Sequence, residues 1–385
     1  MFRTLTRFPP LLPNTRRPVF QQASKSVGTM TQNNAGKVWV ITGSSSGLGR
    51  LFAEVVLAQG DRVIATARNI ESLRDLLQSD TNSEPRIHLL QLDVTSPFST
   101  LQEAAAVAVD KWGRIDVLVN NAAAGMAGIS EEVGLTSRTH SAFVLIRVEG
   151  YQRQFATNFF GALNVTYAFL PYMRSQRSGT IVFIGSRSSW RSDVPMLGSY
   201  SSSKAALTAA AEALSVEVAP LNIRVLNVLP GGLRTPNWDN MVLLPTAPSA
   251  LLPISPVGAK GANQGQSDVS PAAKPVDSAA ADARSVQHDS EQHIADYAEL
   301  RARRLAWMYA QTGAQPGDPG KSAQAIVDIV NSADGSGEGT QKRGWPDLNM
   351  LVLGSDAEAN IREKCARVLQ NLDDWADVVK SIDID

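Results

Sequence analysis

The sequence predicts an α/β protein: seven parallel strands in one sheet, helices on both faces, folded as a single domain. Three observations carry this expectation. Seven short apolar runs recur between Val38 and Leu353, helical segments separate them, and a glycine-rich turn follows the first run. Strands buried on both faces read as near-continuous apolar segments rather than as alternating ones, which is the pattern of a parallel sheet under two helical layers.

The runs come in order. Val38-Trp39-Val40-Ile41 is the first strand, followed by the turn and by the helical apolar spacing of Leu51, Phe52, Val55 and Val56. Arg62–Ala67 is the second strand and Ile87–Leu92 the third. Ile115–Val119, Thr180–Ile184, Ile223–Val228 and Asn349–Leu353 complete the set. A length of 385 residues would by itself suggest two or three domains at roughly 150 residues each. One continuous strand–helix rhythm implies a single domain instead.

Composition narrows the function. Lys plus Arg number 36 against 37 Asp plus Glu, so no excess positive charge is available for a nucleic acid. No apolar run reaches the length of a membrane-spanning helix. One cysteine, Cys365, excludes an intrachain disulfide, and four scattered histidines make a zinc site improbable. Cys365 stands at helical spacing from Ile361 and Leu369 and reads as a core residue rather than a nucleophile. Arg301, Arg303 and Arg304 read as a solvated helix face.

Three stretches depart from the rhythm. Residues 1–30 carry Arg3, Arg7, Arg16, Arg17 and Lys25 before the first acidic residue, Glu54. That acid-poor start reads as a mitochondrial presequence or a disordered tail, the latter favoured by Pro9, Pro10, Pro13 and Pro18. The expected location is accordingly cytoplasmic or mitochondrial. Residues 245–295 are dominated by Ala, Ser, Pro and Gly and read as a low-complexity insertion. Residues 134–149 contain Ala142-Phe143-Val144-Leu145-Ile146 inside a polar-faced helical region. They read either as retained intron sequence or as a surface lobe. Setting these stretches aside leaves roughly 290 residues, a length that one α/β domain accommodates.

Thr42-Gly43-Ser44-Ser45-Ser46-Gly47-Leu48-Gly49 joins the first strand to the first helix. Glycines there let backbone N–H groups approach a pyrophosphate at a helix N-terminus. No lysine follows the last glycine, which disfavours a nucleoside-triphosphate loop. The second strand ends in Ala67-Arg68 without a carboxylate. An acidic residue there would hold a ribose 2′-OH, whereas an arginine accommodates a 2′-phosphate with two forked donors. NADP(H) is therefore expected over NAD(H).

Tyr200 and Lys204 lie four residues apart ahead of an Ala-rich helical stretch, which puts phenol and ammonium on one helix face. A phenol ionises near pH 10, so Tyr200 serves as a general acid/base only where its surroundings control the proton. With the glycine turn upstream, the chain resembles the short-chain dehydrogenase/reductase family, in its single-domain branch and with similarity to steroid- and retinol-type dehydrogenases. The likeness spans about residues 36–240 and resumes over about 316–375. It includes Asp93-Val94, Asn120-Asn121-Ala122-Ala123 (Ala123 replacing a family glycine), Asn158, Gly185-Ser186, and Pro230-Gly231 with Thr235.

The resemblance implies a Rossmann-type doubly wound sheet, homo-oligomerisation, and a role for each matching residue. Thr42, Gly43, Ser45, Gly47, Leu48, Gly49, Arg68, Asp93, Val94, Asn121, Pro230, Gly231 and Thr235 would hold the cofactor, together with Tyr200 and Lys204. Tyr200 would exchange a proton with the substrate oxygen, and Ser186 would hydrogen-bond that oxygen. Ser188 and Ser189 are nearby alternatives, but strand register favours Ser186. Lys204 would depress the Tyr200 pKa, and Asn158 would position a water linking Lys204 to solvent. No step requires a metal. Leu233, Trp238, Met241, Val242, Leu243 and Leu244 follow Gly231 as an apolar lid, which suggests a lipophilic carbonyl or alcohol substrate. The expected function is an NADP(H)-dependent carbonyl reductase or alcohol dehydrogenase. The alternatives are a catalytically weak dinucleotide-binding regulator and, less favoured, a sugar-nucleotide epimerase using the same Tyr/Lys pair.

Overall fold

In a computed structural model the chain's apolar runs assemble into a seven-stranded, wholly parallel sheet whose strands run, edge to edge, Ile87–Gln91, Arg62–Ala67, Val38–Ile41, Val117–Asn120, Gly179–Ile184, Ile223–Pro230 and Met350–Leu353. The structure describes residues 36–80, 85–133, 148–235, 241–243, 293–332, 345–346 and 348–384. All of them fall in one compact unit, Gly36–Asp385. The expected tail at 1–30 lies outside the described residues, as do nearly all of the 134–149 and 245–295 stretches.

Strands β1 (Val38–Ile41), β2 (Arg62–Ala67), β3 (Ile87–Gln91) and β4 (Val117–Asn120) form one half of the sheet. Strands β6 (Gly179–Ile184), β7 (Ile223–Pro230) and β9 (Met350–Leu353) form the other. Each predicted run is a sheet strand, with ends shifted by a residue or two. Two short strands, β5 (Met126–Ala127) and β8 (Val242–Leu243), pair separately in parallel. Neither has a run long enough to announce it in the sequence.

Alternate residues of the same strands face opposite helical layers. Trp39, Val63, Val119, Val182 and Leu226 pack with α1 (Gly47–Ala58) and α7 (Pro319–Ser332) through Phe52, Val56, Ile326 and Val330. On the reverse face Val38, Val40, Ile64 and Leu118 meet α2 (Phe98–Trp112) and α4 (Ala162–Gln176) through Leu101, Ala105 and Phe169. Ile181, Phe183 and Val225 meet α5 (Gly198–Val218) through Leu207, Ala211 and Leu214. Between these helices lie α3 (Glu149–Phe155) before α4, and α6 (Ala298–Gln311) before α7. Strand order reverses between β1 and β4, and the crevice at such a switch point, outside the carboxyl ends of the strands, is where open α/β sheets bind ligands.

The C-terminal helices are α8 (Ser355–Asp374) and α9 (Ala376–Lys380). Ala357 in the first turn is the buried residue of α8, Asn360 and Arg367 meet the loop after β6 through Arg191 and Asp193, and Cys365 is exposed. The expectation of a core cysteine is therefore overturned: Leu369 beside it is also exposed, so the helical spacing marks a face that nothing in the described chain covers. Among the described residues no helix is long and apolar enough to cross a membrane.

Candidate active site

The turn after β1 is shaped by contacts no side chain could replace. Gly43 (φ +69°) and Gly47 (φ +55°) occupy the left-handed region, and a Cβ on Gly43 would lie 2.9 Å from Ala122 Cα. Thr42 is buried; its Oγ1 donates to Val119 O and accepts from Asn121 N and Ala122 N, at 2.9–3.2 Å. Asn121 Nδ2 donates to Thr42 O and Gly43 O at 2.9 and 3.1 Å. Thr42, Asn121 and Gly49 thus lock the end of β1 to the end of β4 and leave the backbone of Ser45, Ser46 and Gly47 facing a cleft of about 1260 Å³.

Of the cofactor residues named from the sequence, Gly43, Ser45, Gly47, Leu48, Arg68, Asp93, Val94, Asn121, Pro230, Gly231 and Thr235 line this cleft. Thr42 and Gly49 stand behind its wall. Arg68 is exposed at the carboxyl end of β2 and makes no ion pair among the described residues. Asp93 accepts from Thr95 N and Thr95 Oγ1 at 2.9 and 2.7 Å. Residues of this kind, with a free cation where β2 ends and open backbone at a helix N-terminus, fit a phosphorylated dinucleotide.

Tyr200 and Lys204 stand one turn apart on α5 and reach the same cleft from the side of β6. Ser186 stands near enough to the Tyr200 phenol to favour its ionised form, and its Oγ accepts from Ser188 N at 3.1 Å. Ser189 instead accepts from Thr208 Oγ1 at 3.2 Å, and of the three candidate serines only Ser186 acts on the phenol. Lys204 is buried and donates from Nζ to Ile184 O at 2.7 Å. With no carboxylate beside it, burial holds its ammonium down to about 8. Burial likewise pushes the Tyr200 phenol up, against smaller opposite effects of Ser186 and Arg187.

Asn158 does not line the cleft. It sits in a π-helical turn, Ala156–Gly161, inserted between α3 and α4; such turns are frequent at functional sites. Its Oδ1 accepts from Ala124 N at 2.9 Å, and its Nδ2 donates to Ala124 O and Ser203 Oγ at 3.0 and 3.2 Å. Both amide protons are therefore spent on tying the segment after β4 to the helix of Tyr200 and Lys204.

Several residues at the site carried no readable signal in the sequence. Asp356 ion-pairs with Arg187 and accepts from Gly232 N at 2.8 Å, fastening the Pro230-Gly231-Gly232 segment to the loop of Ser186. Glu132 is buried, ion-pairs with Arg301 and accepts from Ile294 N at 2.8 Å, which anchors α6 beside the cleft. Met196 adopts φ +67°, a conformation costly for a non-glycine residue, in the loop ahead of α5. Of the expected lid, Leu233, Met241 and Val242 line the cleft, Leu233 also bridges to Gly317, and Leu243 packs beside Met241. Trp238 and Leu244 lie outside the described residues. The basic triplet on α6 is not one solvated face: Arg301 is paired inward, Arg303 is exposed, and Arg304 lines the cleft.

A doubly wound parallel sheet with a glycine turn at its switch point defines a Rossmann-type nucleotide-binding protein, and Ser186, Tyr200 and Lys204 line the cleft beside that turn. Comparison with known proteins agrees. A family model described as short chain dehydrogenase matches residues 37–243. The oxidoreductase BOA17 of Botryotinia fuckeliana is 36% identical over 210 residues, 54% of this chain and 70% of that protein. A 3-ketodihydrosphingosine reductase of Bacteroides thetaiotaomicron is 35% identical over 204 residues, 53% of this chain and 66% of its own. The crystal structure of a short-chain dehydrogenase from Streptomyces avermitilis matches with a TM-score of 0.62 at 30% identity, covering 91% of this chain and 100% of that one. The chain belongs to the short-chain dehydrogenase/reductase family of oxidoreductases, which act on CH–OH groups.

Proposed function

We propose that the protein is an NADP(H)-dependent oxidoreductase interconverting a lipophilic alcohol and its ketone or aldehyde, with Tyr200 as general acid/base. The observation that carries this reading is that Ser186, Tyr200 and Lys204 line the same cleft as the glycine turn and Arg68. NADP(H), when bound, supplies or accepts the hydride. Arg68 binds the 2′-phosphate, and the backbone at the start of α1 binds the pyrophosphate.

The remaining chemistry belongs to side chains. Burial keeps the Tyr200 phenol protonated, so its oxygen retains the proton that a carbonyl oxygen receives on reduction. Ser186 faces the same cleft and orients the substrate oxygen against that hydroxyl. Lys204 contributes a cation from below, anchored on Ile184 O. Asn158 acts as a positioning residue through Ala124 and Ser203. Met126, Leu197, Met241 and Val242 give the substrate end an apolar wall that excludes water. The name of the Bacteroides relative, a 3-ketodihydrosphingosine reductase, supports reduction of a ketone.

The test is NADPH oxidation by the purified protein against a panel of aliphatic ketones and aldehydes, repeated with NADH. Turnover with NADPH preferred over NADH, and that preference lost in Arg68→Asp, is the expected result. Tight NADPH binding without turnover across the panel would instead favour a regulatory dinucleotide binder.

A further inference from the structure

The substrate end of the cleft is apolar on one side and cationic on the other. Arg187 leaves the end of β6, Arg191 follows four residues later, and Arg304 enters from α6; all three line the same cleft. The Arg304 guanidinium stacks on Trp307, 4.1 Å from the ring centroid, and Trp307 also lines the cleft. Arg304 Nε is fully buried without a hydrogen-bond partner, and Arg304 makes no ion pair among the described residues. Its position is not accidental to a floppy helix, because Arg301 one turn earlier is clamped on buried Glu132.

Among the described residues, the acidic groups at this end are already engaged. Asp356 is paired with Arg187, and Asp193 with Arg367 at 3.2 Å. Arg191 donates to the amide oxygen of Asn360 at 3.4 Å and is near enough to Asp193 to lower its pKa. Burial first, then Arg191 and Arg187, hold Arg304 down to about 10. Crowding cations in a half-buried place opposes folding unless an anion arrives to offset it. Guanidinium forks match the paired oxygens of a carboxylate or phosphate.

The geometry points to an anion subsite formed by Arg304 and Arg191 with Arg187, so that the substrate is amphipathic: an aliphatic body along Val194, Leu197 and Met241 bearing a carboxylate or phosphate group. This assignment rests on the oxidoreductase reading for the word substrate, and it narrows the class that reading leaves open.

A binding experiment separates the two. Isothermal titration calorimetry compares octanoate, octyl phosphate and 1-octanol on the wild-type protein, Arg304→Gln, Arg191→Gln and Arg303→Gln. Hydrogen bonds to charged groups lead us to expect one of the anions to bind about tenfold or more tighter than 1-octanol. That advantage should vanish in Arg304→Gln and shrink in Arg191→Gln. It should persist in Arg303→Gln, whose exposed guanidinium faces Glu299 at 3.7 Å. Equal affinity for the alcohol and both anions, failure of all three to bind, or an advantage that survives both Arg304→Gln and Arg191→Gln would overturn the anion subsite. If octanoate or octyl phosphate binds as expected while no carbonyl oxidises NADPH, the oxidoreductase reading fails and the subsite stands.

Discussion

Replacing Gly49 by alanine puts a Cβ 2.2 Å from the Gly43 carbonyl oxygen and 2.4 Å from Asn121 Nδ2. Neither neighbour is free to move. The first is backbone of a turn held by Thr42, and the second donates to Thr42 O and Gly43 O. Overpacking of this kind costs about 1–3 kcal/mol, and releasing the two amide hydrogen bonds costs about 1 kcal/mol each. Gly49→Ala should therefore lower unfolding stability by about 3–5 kcal/mol. It should also weaken NADPH binding, because the turn that opens α1 must widen. Guanidinium denaturation gives the first quantity and NADPH fluorescence titration the second. Ser46→Ala is the control, since this exposed N-cap makes no side-chain capping bond and should leave stability within about 0.5 kcal/mol. A Gly49→Ala protein as stable as the control, with unchanged NADPH affinity, would refute the claim that close approach at this turn builds the cofactor site.

Two further outcomes follow from buried charge. Lys204 holds its proton only to about 8 when folded, against 10.5 when unfolded, so between those values the unfolded chain binds more protons and stability rises with pH. Lys204→Met should abolish that rise, whose ceiling is about 3 kcal/mol; denaturation midpoints read between about pH 8 and 10, before tyrosines ionise, check it, and parallel curves for both proteins would contradict it. Glu132→Ala leaves Arg301 without its buried partner and Ile294 N without its acceptor. It should cost about 3–5 kcal/mol, with hydrogen exchange on α6 accelerating more than exchange on β1; uniform exchange would show that Glu132 does not anchor that helix.

What the sequence disclosed and what it withheld divide along a physical line. The sheet strands were legible because burial on both faces demands continuous apolar runs such as Val38–Ile41, and the cofactor turn because close backbone approach admits only glycine at Gly43 and Gly49. Tyr200 and Lys204 were legible because helical spacing alone aligns them. By contrast, Arg187 meets Asp356 and Glu132 meets Arg301 across 169 residues each, and no local periodicity encodes either pair. Arg304 read as surface because a helix with arginines at 301, 303 and 304 has no visible buried face until Glu132 fixes its rotation. Cys365 read as core because spacing reports a face, not whether anything covers it. The placement of Asn158 in a π turn depends on one extra residue in a helical repeat, which the sequence pattern does not mark.

The central claim is that Tyr200 delivers the proton in carbonyl reduction. Its most direct measurement is NADPH oxidation by Tyr200→Phe, on a carbonyl that the wild-type protein reduces, with NADPH affinity measured on the same preparation. The phenylalanine ring keeps the packing and removes only the hydroxyl that lines the cleft beside Ser186. Turnover should fall by about 100-fold or more while NADPH still binds. Near-normal turnover in Tyr200→Phe would contradict the assignment.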